Sequence, residues 1–487
     1  MCRTRRIERV YMLGNNKESI GGNMRSYKNS IKKSFISTLL ATVIGLLSVF
    51  PVNAASAVNI PGVDNGMLNA NYWIPEWERN LVLMDNEKIA ALNQANYAFE
   101  PANLTELYFS EPTFNGNALK ASLAGFSDKT NLYLNGSKAP ASFFEAIRKN
   151  ISGAKTTDLM QKGYGIIVNR TAMKDLPYSE MLSDDPSDPE WDNLVSTALF
   201  INDPVLCYFT TKDKKFTYVQ SELCSGWIPT KDVALEADKN NWYAATHPQA
   251  FLLVTGDQIL TEPSAANEKH SSVRLTMGTK LELLTTPGIV DNRMSFYNYV
   301  VAIPERDANG NYVKTMALIP VSRDVNVGYL PMTKANLLNQ AFKSLGNRYG
   351  WGGSLNSQDC SSYVREVYSC FGLVLPRNTT WQSRMRCRLI DLSAMNITEK
   401  ENYLRMECPA GAIMQFPGHE MFYLGASGDD FYVLSDVSSL ILSSDGKNVL
   451  VKPRSVVVNG LKSTYRKNGK NWLENVDKVI IPWIEPW

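Results

Sequence analysis

The segment that most restricts what this chain can fold into runs from Thr333 to Gly372. There two helical patterns are joined by a glycine-rich loop, and a cysteine opens the second helix. Thr333 can cap a first helix whose apolar face is Leu337, Leu338, Ala341, Phe342 and Leu345, stopped by Gly346. The loop Tyr349-Gly350-Trp351-Gly352-Gly353 leads through polar residues to Asp359. A helix from Cys360 to Phe371 then aligns Tyr363, Val364, Val367, Tyr368 and Phe371 on one face, with Gly372 after it. Strand patterns follow at 412–416, 419–424, 431–434, 449–452 and 478–481. Helices followed by a run of strands make residues 333–487 an α+β domain.

Upstream the periodicity differs. Residues 58–158 hold an aromatic-rich start (Tyr72, Trp73, Trp77) and helical spacing of Ile89, Leu92 and Ala95, with Asn86 as cap and another helix near 141–150. This reads as a small helical domain. From 159 to 240 short β runs take over, at 164–168, 205–209 and 215–219, the last two joined by the polar connection Thr211-Lys212-Asp213-Lys214. A second β-rich stretch fills 241–332, with runs at 280–284 and 296–302 and a turn at Asp307-Ala308-Asn309-Gly310-Asn311. The two stretches close on Gly226-Trp227-Ile228-Pro229-Thr230-Lys231 and Gly328-Tyr329-Leu330-Pro331-Met332-Thr333-Lys334, 102 residues apart, a weak repeat that suits two small SH3-like barrels.

Charge is informative only after the N-terminus is set aside. Arg25, Lys28, Lys32 and Lys33 precede a 16-residue apolar run from Phe35 to Phe50, followed by Pro51 and small-residue sites ending at Ala54 or Ala57. That is the pattern of a cleaved signal peptide over 1–57, with Met24 the expected start. The run contains Ser37, Thr38, Thr42 and Ser48 and falls short of the roughly 20 residues a span needs, so no membrane anchor is expected after cleavage. The expected location is extracellular, periplasmic or cell-wall associated. Without this segment 41 basic residues face 46 acidic ones, which gives no electrostatic footprint for nucleic acid.

Six cysteines remain: Cys207, Cys224, Cys360, Cys370, Cys387 and Cys408. Their spacing shows no metal pattern, so neither a metal nor another cofactor is expected. Cys207 with Cys224, and Cys387 with Cys408, are candidate disulfides; Cys370, roughly 15 Å along the helix from Cys360, is expected in the core. Cys360 stands apart because it opens its helix. Unpaired backbone N–H groups and the positive end of the helix dipole there favour a thiolate and can hold an oxyanion. A thiol nucleophile also needs a base, and of His247, His270 and His419 only His419 lies in the same domain.

The stretch YGWGGSLNSQDCSSYVREVYSCFGLVLPRNTTWQS, followed by GHEMFYLG, closely resembles NlpC/P60 cysteine peptidases. Upstream, GYGIIVNRTAMKDLP and the two barrel closings resemble the secreted subgroup with a helical N-terminal stabilising domain and two bacterial SH3 domains. The resemblance implies a multidomain α+β chain: a papain-like C-terminal domain over 333–487, SH3-like barrels over 159–240 and 241–332, and a helical domain before them. It implies Cys360 as nucleophile and His419 as base, Asp359 as the acid that meets a free L-Ala amine, and Ser361 and Tyr349 as pocket-lining groups, with core packing as the alternative for Tyr349. Arg377 and Asn378 also match the pattern, with loop ordering as an alternative role.

The sequence departs from the family at the third catalytic position. Tyr432-Val433-Leu434-Ser435 stands where relatives read Tyr-Val-Ile-His, which makes Ser435 the expected orienter of His419. Asp436 should point to the other face of the strand unless a bulge turns it. The resemblance implies a secreted endopeptidase that cuts the γ-D-glutamyl–diamino acid bond of peptidoglycan stem peptides, and small muropeptides more than intact wall. The alternatives are a cell-wall binding protein with a degenerate peptidase domain, and an amidase of the same fold with another bond specificity.

Overall fold

A computed structural model describes residues 60–485, apart from 130, 189, 286–287 and 445–446. The expected signal segment lies outside the described residues. Among those described, no helix is long and apolar enough to cross a membrane.

The N-terminal helices are α1 (Asn86–Tyr97), α2 (Gly116–Ala124) and α3 (Ala141–Ser152). The cap of α1 is Asp85, whose side chain accepts from the Lys88 N–H, one residue before the expected Asn86. The apolar faces of the helices expected to form a domain over 58–158 go to two different cores. Met67, Trp73, Ile74, Ile89 and Leu92 are buried in one core with residues beyond 330. Phe144, Ile147 and Ile151 of α3 are instead buried with Leu194, Phe209, Phe216 and Trp227. Short helices bury too little apolar surface to stand alone, so each half borrows a neighbour's core.

Seven antiparallel strands follow: β1 (Gly163–Ile167), β2 (Thr171–Lys174), β3 (Val195–Leu199), β4 (Pro204–Thr210), β5 (Phe216–Gln220), β6 (Ser225–Pro229) and β7 (Val233–Glu236). Their order in the sheet is β7-β1-β4-β5-β6-β2-β3. The helix α4 (Lys239–Thr246) leads into a second β unit. There β8 (Phe251–Val254) pairs with both β9 (Lys280–Glu282) and β12 (Val325–Val327), while β10 (Asn298–Arg306) and β11 (Tyr312–Pro320) form a long hairpin. Its turn is at the expected place, where Asp307 accepts from the Asn309 and Asn311 N–H groups.

The two closings are not structurally equivalent. Ser225–Pro229 is β6, inside the seven-stranded sheet. Met332 and Thr333 instead pair with a short strand at Val82–Met84, and the Tyr329 ring lies against Gly372. The shared glycine, aromatic and proline thus serve a barrel strand in one place and an interdomain junction in the other.

The C-terminal domain contains α5 (Lys334–Phe342), α6 (Cys360–Ser369), β13 (Arg388–Asp391), α7 (Ile397–Met406), β14 (Ile413–Phe416), β15 (His419–Ser427), β16 (Asp430–Val437), β17 (Leu440–Ser444), β18 (Lys447–Val451), β19 (Ser455–Gly460), β20 (Thr464–Tyr465), α8 (Trp472–Asn475) and β21 (Lys478–Ile481). An antiparallel sheet of order β13-β21-β14-β15-β16-β19 forms its centre. One face buries Phe422, Leu434 and Val456 against Leu337, Leu338, Tyr363 and Val367 of α5 and α6. The other buries Met421, Tyr423, Phe431 and Val433 against Leu404 of α7 and Trp472 of α8. Strand alternation divides β15 and β16 between the two cores. The same alternation positions the site.

Candidate active site

Cys360 is fixed by the way its helix begins. Asp359 caps α6: its side chain accepts from the Ser362 N–H at 2.9 Å, and the Ser362 hydroxyl accepts from the Asp359 N–H at 2.8 Å. This capping box satisfies N–H groups that would otherwise be orphaned at the helix start. The preceding loop needs its glycines because it packs directly on β3. Gly352 and Gly353 have φ of 65° and 87°, and a Cβ on either would lie 2.6 Å from Val195 or 2.7 Å from Ala198. Arg170 ties the loop down further by donating to the carbonyls of Gly353 and Ser357.

Opposite the cysteine, His419 opens β15 with its ring among those of Phe416 and Trp472, each 5.3 Å away between centroids. Its Nε2 is 2.7 Å from Ser435 Oγ on β16. With Nε2–H donating to that oxygen, Nδ1 is the nitrogen left to accept a proton. Ser435 Oγ thus lies where it can accept from the imidazole, and strand alternation turns Asp436 to the opposite face. Cys360 and His419 line one cleft of about 530 Å³, together with Tyr349, Trp351, Trp191, Asp436, Arg466 and Trp472. His270 sits instead in the second β unit, between Asp291 and Glu305, and His247 stacks on Tyr243 of α4.

Asp359 and Ser361 do not line this cleft. The Asp359 carboxylate is spent inside the domain, with Arg377 Nη2 at 2.8 Å, the Gly352 N–H at 3.0 Å and the Ser361 hydroxyl at 3.2 Å. Arg377 also donates to Ser361 Oγ at 3.0 Å. The Asp359 carboxylate, expected to meet a substrate amine, here forms a buried ion pair that locks the helix start. Arg377 is correspondingly an ordering residue, and Asn378 caps the turn at Thr379–Gln382. Tyr349 does line the cleft, stacked at 5.9 Å on Trp191.

The electrostatics of the resting site also differ from expectation. Burial pushes the Cys360 thiol well up, and the Asp359, Glu420 and Asp436 carboxyls push it further; the Glu420 N–H hydrogen bond works against them. Burial, with the Arg466 charge, lowers His419 to about 3. Burial is the largest influence on the thiol, and the carboxylate cap at the helix start adds to it. Both shifts favour the uncharged thiol and the uncharged imidazole, which suits a proton transfer that accompanies attack by sulfur.

All six cysteines among the described residues are free thiols, so neither candidate disulfide is formed. Cys370 is buried against Gln340, as a core residue. No group of three or more His, Cys, Asp or Glu side chains among the described residues could hold a metal ion.

Sequence reasoning missed the residues that other elements bring to the cleft. Trp191 comes from the loop before β3, held there by Asp188 and Glu190, which pair with Arg454 and Arg348. Trp191 also lies 4.9 Å from Trp351. Arg466 and Lys467 follow β20. Only the cluster of acids and tryptophan at 184–191 hinted at such a role.

The family comparisons agree with this geometry. Residues 182–229 match an SH3 domain (SH3b1 type), and residues 346–451 match the NlpC/P60 family, whose members are cysteine peptidases and amidases. A γ-D-glutamyl-L-lysine dipeptidyl-peptidase from Bacillus cereus is 28% identical over 171 residues, which are 33% of this chain and 43% of that protein. The chain thus aligns with less than half the length of that relative. The solved structure of an NlpC/P60 endopeptidase from Photobacterium damselae subsp. piscicida superposes with a TM-score of 0.66, over 86% of this chain and 98% of that one, at 14% identity. Cys360, which opens its helix, and His419, which opens its strand, both fall inside the residues that match the NlpC/P60 family, so the chain carries an NlpC/P60 domain at its C-terminus behind an SH3 domain of the SH3b1 type.

Proposed function

We propose that this protein is an exported cysteine endopeptidase that hydrolyses the amide between γ-D-glutamate and the diamino acid of peptidoglycan stem peptides. The observation that carries the reading is the 2.7 Å contact between His419 Nε2 and Ser435 Oγ, in a cleft that His419 shares with Cys360. A binding module has no physical need for an imidazole held this way. The relative named for γ-D-glutamyl-L-lysine cleavage supports the choice of bond. Export rests on the basic and apolar pattern before Ala57. The second β unit is taken as a further SH3-like wall-binding module.

In the reaction, Cys360 sulfur adds to the scissile carbonyl while its proton passes to His419. The tetrahedral intermediate collapses with loss of the C–N bond, and the imidazolium proton goes to the departing nitrogen. Water, deprotonated by the same imidazole, then cleaves the thioester and returns the thiol. Ser435 keeps the ring in the tautomer and orientation both steps need. The cleft is narrowed by Trp191 from the SH3 side, which favours small peptide fragments.

Digestion of L-Ala-γ-D-Glu-diamino acid by the mature chain and by Cys360→Ala, read by mass spectrometry, tests this. Release of the diamino acid by the wild type alone is the expected result. Release of another fragment would make the enzyme an amidase of different specificity. Wall binding without any hydrolysis would make it a binding protein.

A further inference from the structure

Two clusters of unlike chemistry line the cleft. Trp191, Tyr349 and Trp351 stack together in one; Arg466, Phe416 and Trp472 gather around His419 in the other, with Lys467 next to Arg466 in sequence. The Arg466 guanidinium is held rather than free to swing. It lies 4.5 Å from the centroid of the Phe416 ring and donates through Nη2 to the Pro417 carbonyl at 3.2 Å. The backbone N–H of Arg466 also bonds the Lys470 carbonyl, closing a turn that presents Lys467 beside it. Among the described residues no acidic side chain forms an ion pair with either cation. Arg466, whose charge reaches His419, and the exposed Lys467 thus line the cleft without a paired acidic side chain among the described residues.

Their side of the cleft identifies what they meet. The base that takes the proton from sulfur must deliver it to the departing amine, so His419 faces the residue that leaves. Groups flanking His419 contact that residue and not the acyl part. We propose that Arg466, assisted by Lys467, determines specificity by pairing with a carboxylate on the residue that carries the leaving amine. The proposal rests on the cysteine-hydrolase reading above. A planar guanidinium stacked on an aromatic ring is pre-organised for a carboxylate in a way a lysine is not. In a γ-D-glutamyl–diamino acid substrate the carboxylate has two sources: the free α-carboxyl of a C-terminal diamino acid, or a carboxyl at the far end of its side chain. The Arg466 charge also disfavours an imidazolium at His419 in the empty cleft. A bound carboxylate would offset that charge as the proton arrives, so the pairing acts on kcat as well as KM.

Three tripeptides separate the sources: L-Ala-γ-D-Glu-L-Lys with a free α-carboxylate, the same peptide as its C-terminal amide, and the meso-diaminopimelate peptide amidated at the α-carboxyl alone. The wild type is expected to cleave the free acid at least about tenfold better than the lysine amide in kcat/KM, and Arg466→Gln to bring the ratio near one. Arg466→Lys should keep part of the preference. If the diaminopimelate amide is cut like the free acid, a side-chain carboxylate suffices; if it behaves like the lysine amide, the α-carboxylate is required.

A second measurement does not depend on turnover. Alkylation of Cys360 by iodoacetate and by iodoacetamide, followed on its own peptide by mass spectrometry, compares one electrophile with and without a carboxylate. Arg466→Gln should lower the iodoacetate-to-iodoacetamide rate ratio by roughly fivefold, and Lys467→Gln by less. Hydrolysis without discrimination by the wild type, or an alkylation ratio unchanged in Arg466→Gln, would overturn the proposal. Absence of any hydrolysis with an Arg466-dependent alkylation ratio would instead sink the endopeptidase reading and leave the carboxylate site standing.

Discussion

Two aspartates lie buried near Cys360, and the protein treats them in opposite ways. Burial alone would raise Asp359, but the Arg377 charge and hydrogen bonds from Arg377 and Ser362 hold it below the ordinary carboxylate value. Burial raises Asp436 far above that value, and the nearby Asp359 and Glu366 carboxyls add to the effect. Neither Asp436 oxygen meets a hydrogen-bond donor. One aspartate is shifted toward the ion by its partners; the other is shifted toward the neutral acid and has none. Depth of burial is similar in the two, so partners, not depth, decide whether a buried carboxyl carries charge. The same reasoning applies to Glu420, raised by burial to about 8 despite the hydrogen bond from Gln415.

The comparison breaks most severely if Arg377 is removed. Arg377→Met would leave the Asp359 carboxylate charged, buried and unpaired at the start of the catalytic helix. Breaking a buried pair from one side costs about 3–5 kcal/mol. The expected outcome is a large fall in the urea midpoint followed by tryptophan fluorescence, with activity lost as the helix start loosens. Arg377→Met combined with Asp359→Asn should recover part of that midpoint, since no charge then remains to strand. Equal midpoints for the single and double variants would mean that the pair is not what holds this helix.

That pair shows what could be read in the sequence. The apolar stripe of α6 and the cysteine at its first position were legible because helix periodicity and a cap are local signals. Strand alternation likewise separated Ser435 from Asp436, and the structure keeps them on opposite faces. The occupation of Asp359 was not legible: it depends on Arg377, 18 residues away, and on a glycine N–H delivered by the preceding loop. Whereas β18 was read at 449–452, its partner strand β17 and the loop carrying Trp191 were missed for a related reason. Their apolar residues pack on distant elements and show no strong period of their own. The repeat at Gly226 and Gly328 marks segments that the fold uses differently, because four shared letters describe a turn chemistry, not the sheet that receives it.

A smaller effect is expected from Ser435→Ala, which tests the other face of the same strand. The Nε2–H of His419 would lose its acceptor, so the imidazole would sample the wrong tautomer and orientation. We expect kcat to fall roughly tenfold to a hundredfold with KM little changed. Loss of one buried hydrogen bond should cost about 1 kcal/mol. Unchanged kcat would show that packing between Phe416 and Trp472 orients the ring unaided.

The smallest change is Asp436→Ala, and its sign sharpens the contrast. The unfolded chain loses the Asp436 proton near the ordinary value of 3.8, whereas the folded protein keeps it far longer. Between those two values the folded state holds a proton that the unfolded state has released. The stability this proton contributes is complete below the unfolded value and falls as pH rises toward the folded one. Alanine removes the liability along with some packing. At about pH 4.5 the variant should lie within about 1 kcal/mol of the wild type, because the loss of packing roughly offsets the relief of an unpaired buried group. At about pH 8 it should be the more stable of the two, with Glu366 and Glu420 titrating in both proteins and largely cancelling from the difference. Urea midpoints at the two pH values decide the matter. A variant that loses ground to the wild type as pH rises would mean that Asp436 is ionised and partnered in the folded protein, as Asp359 is.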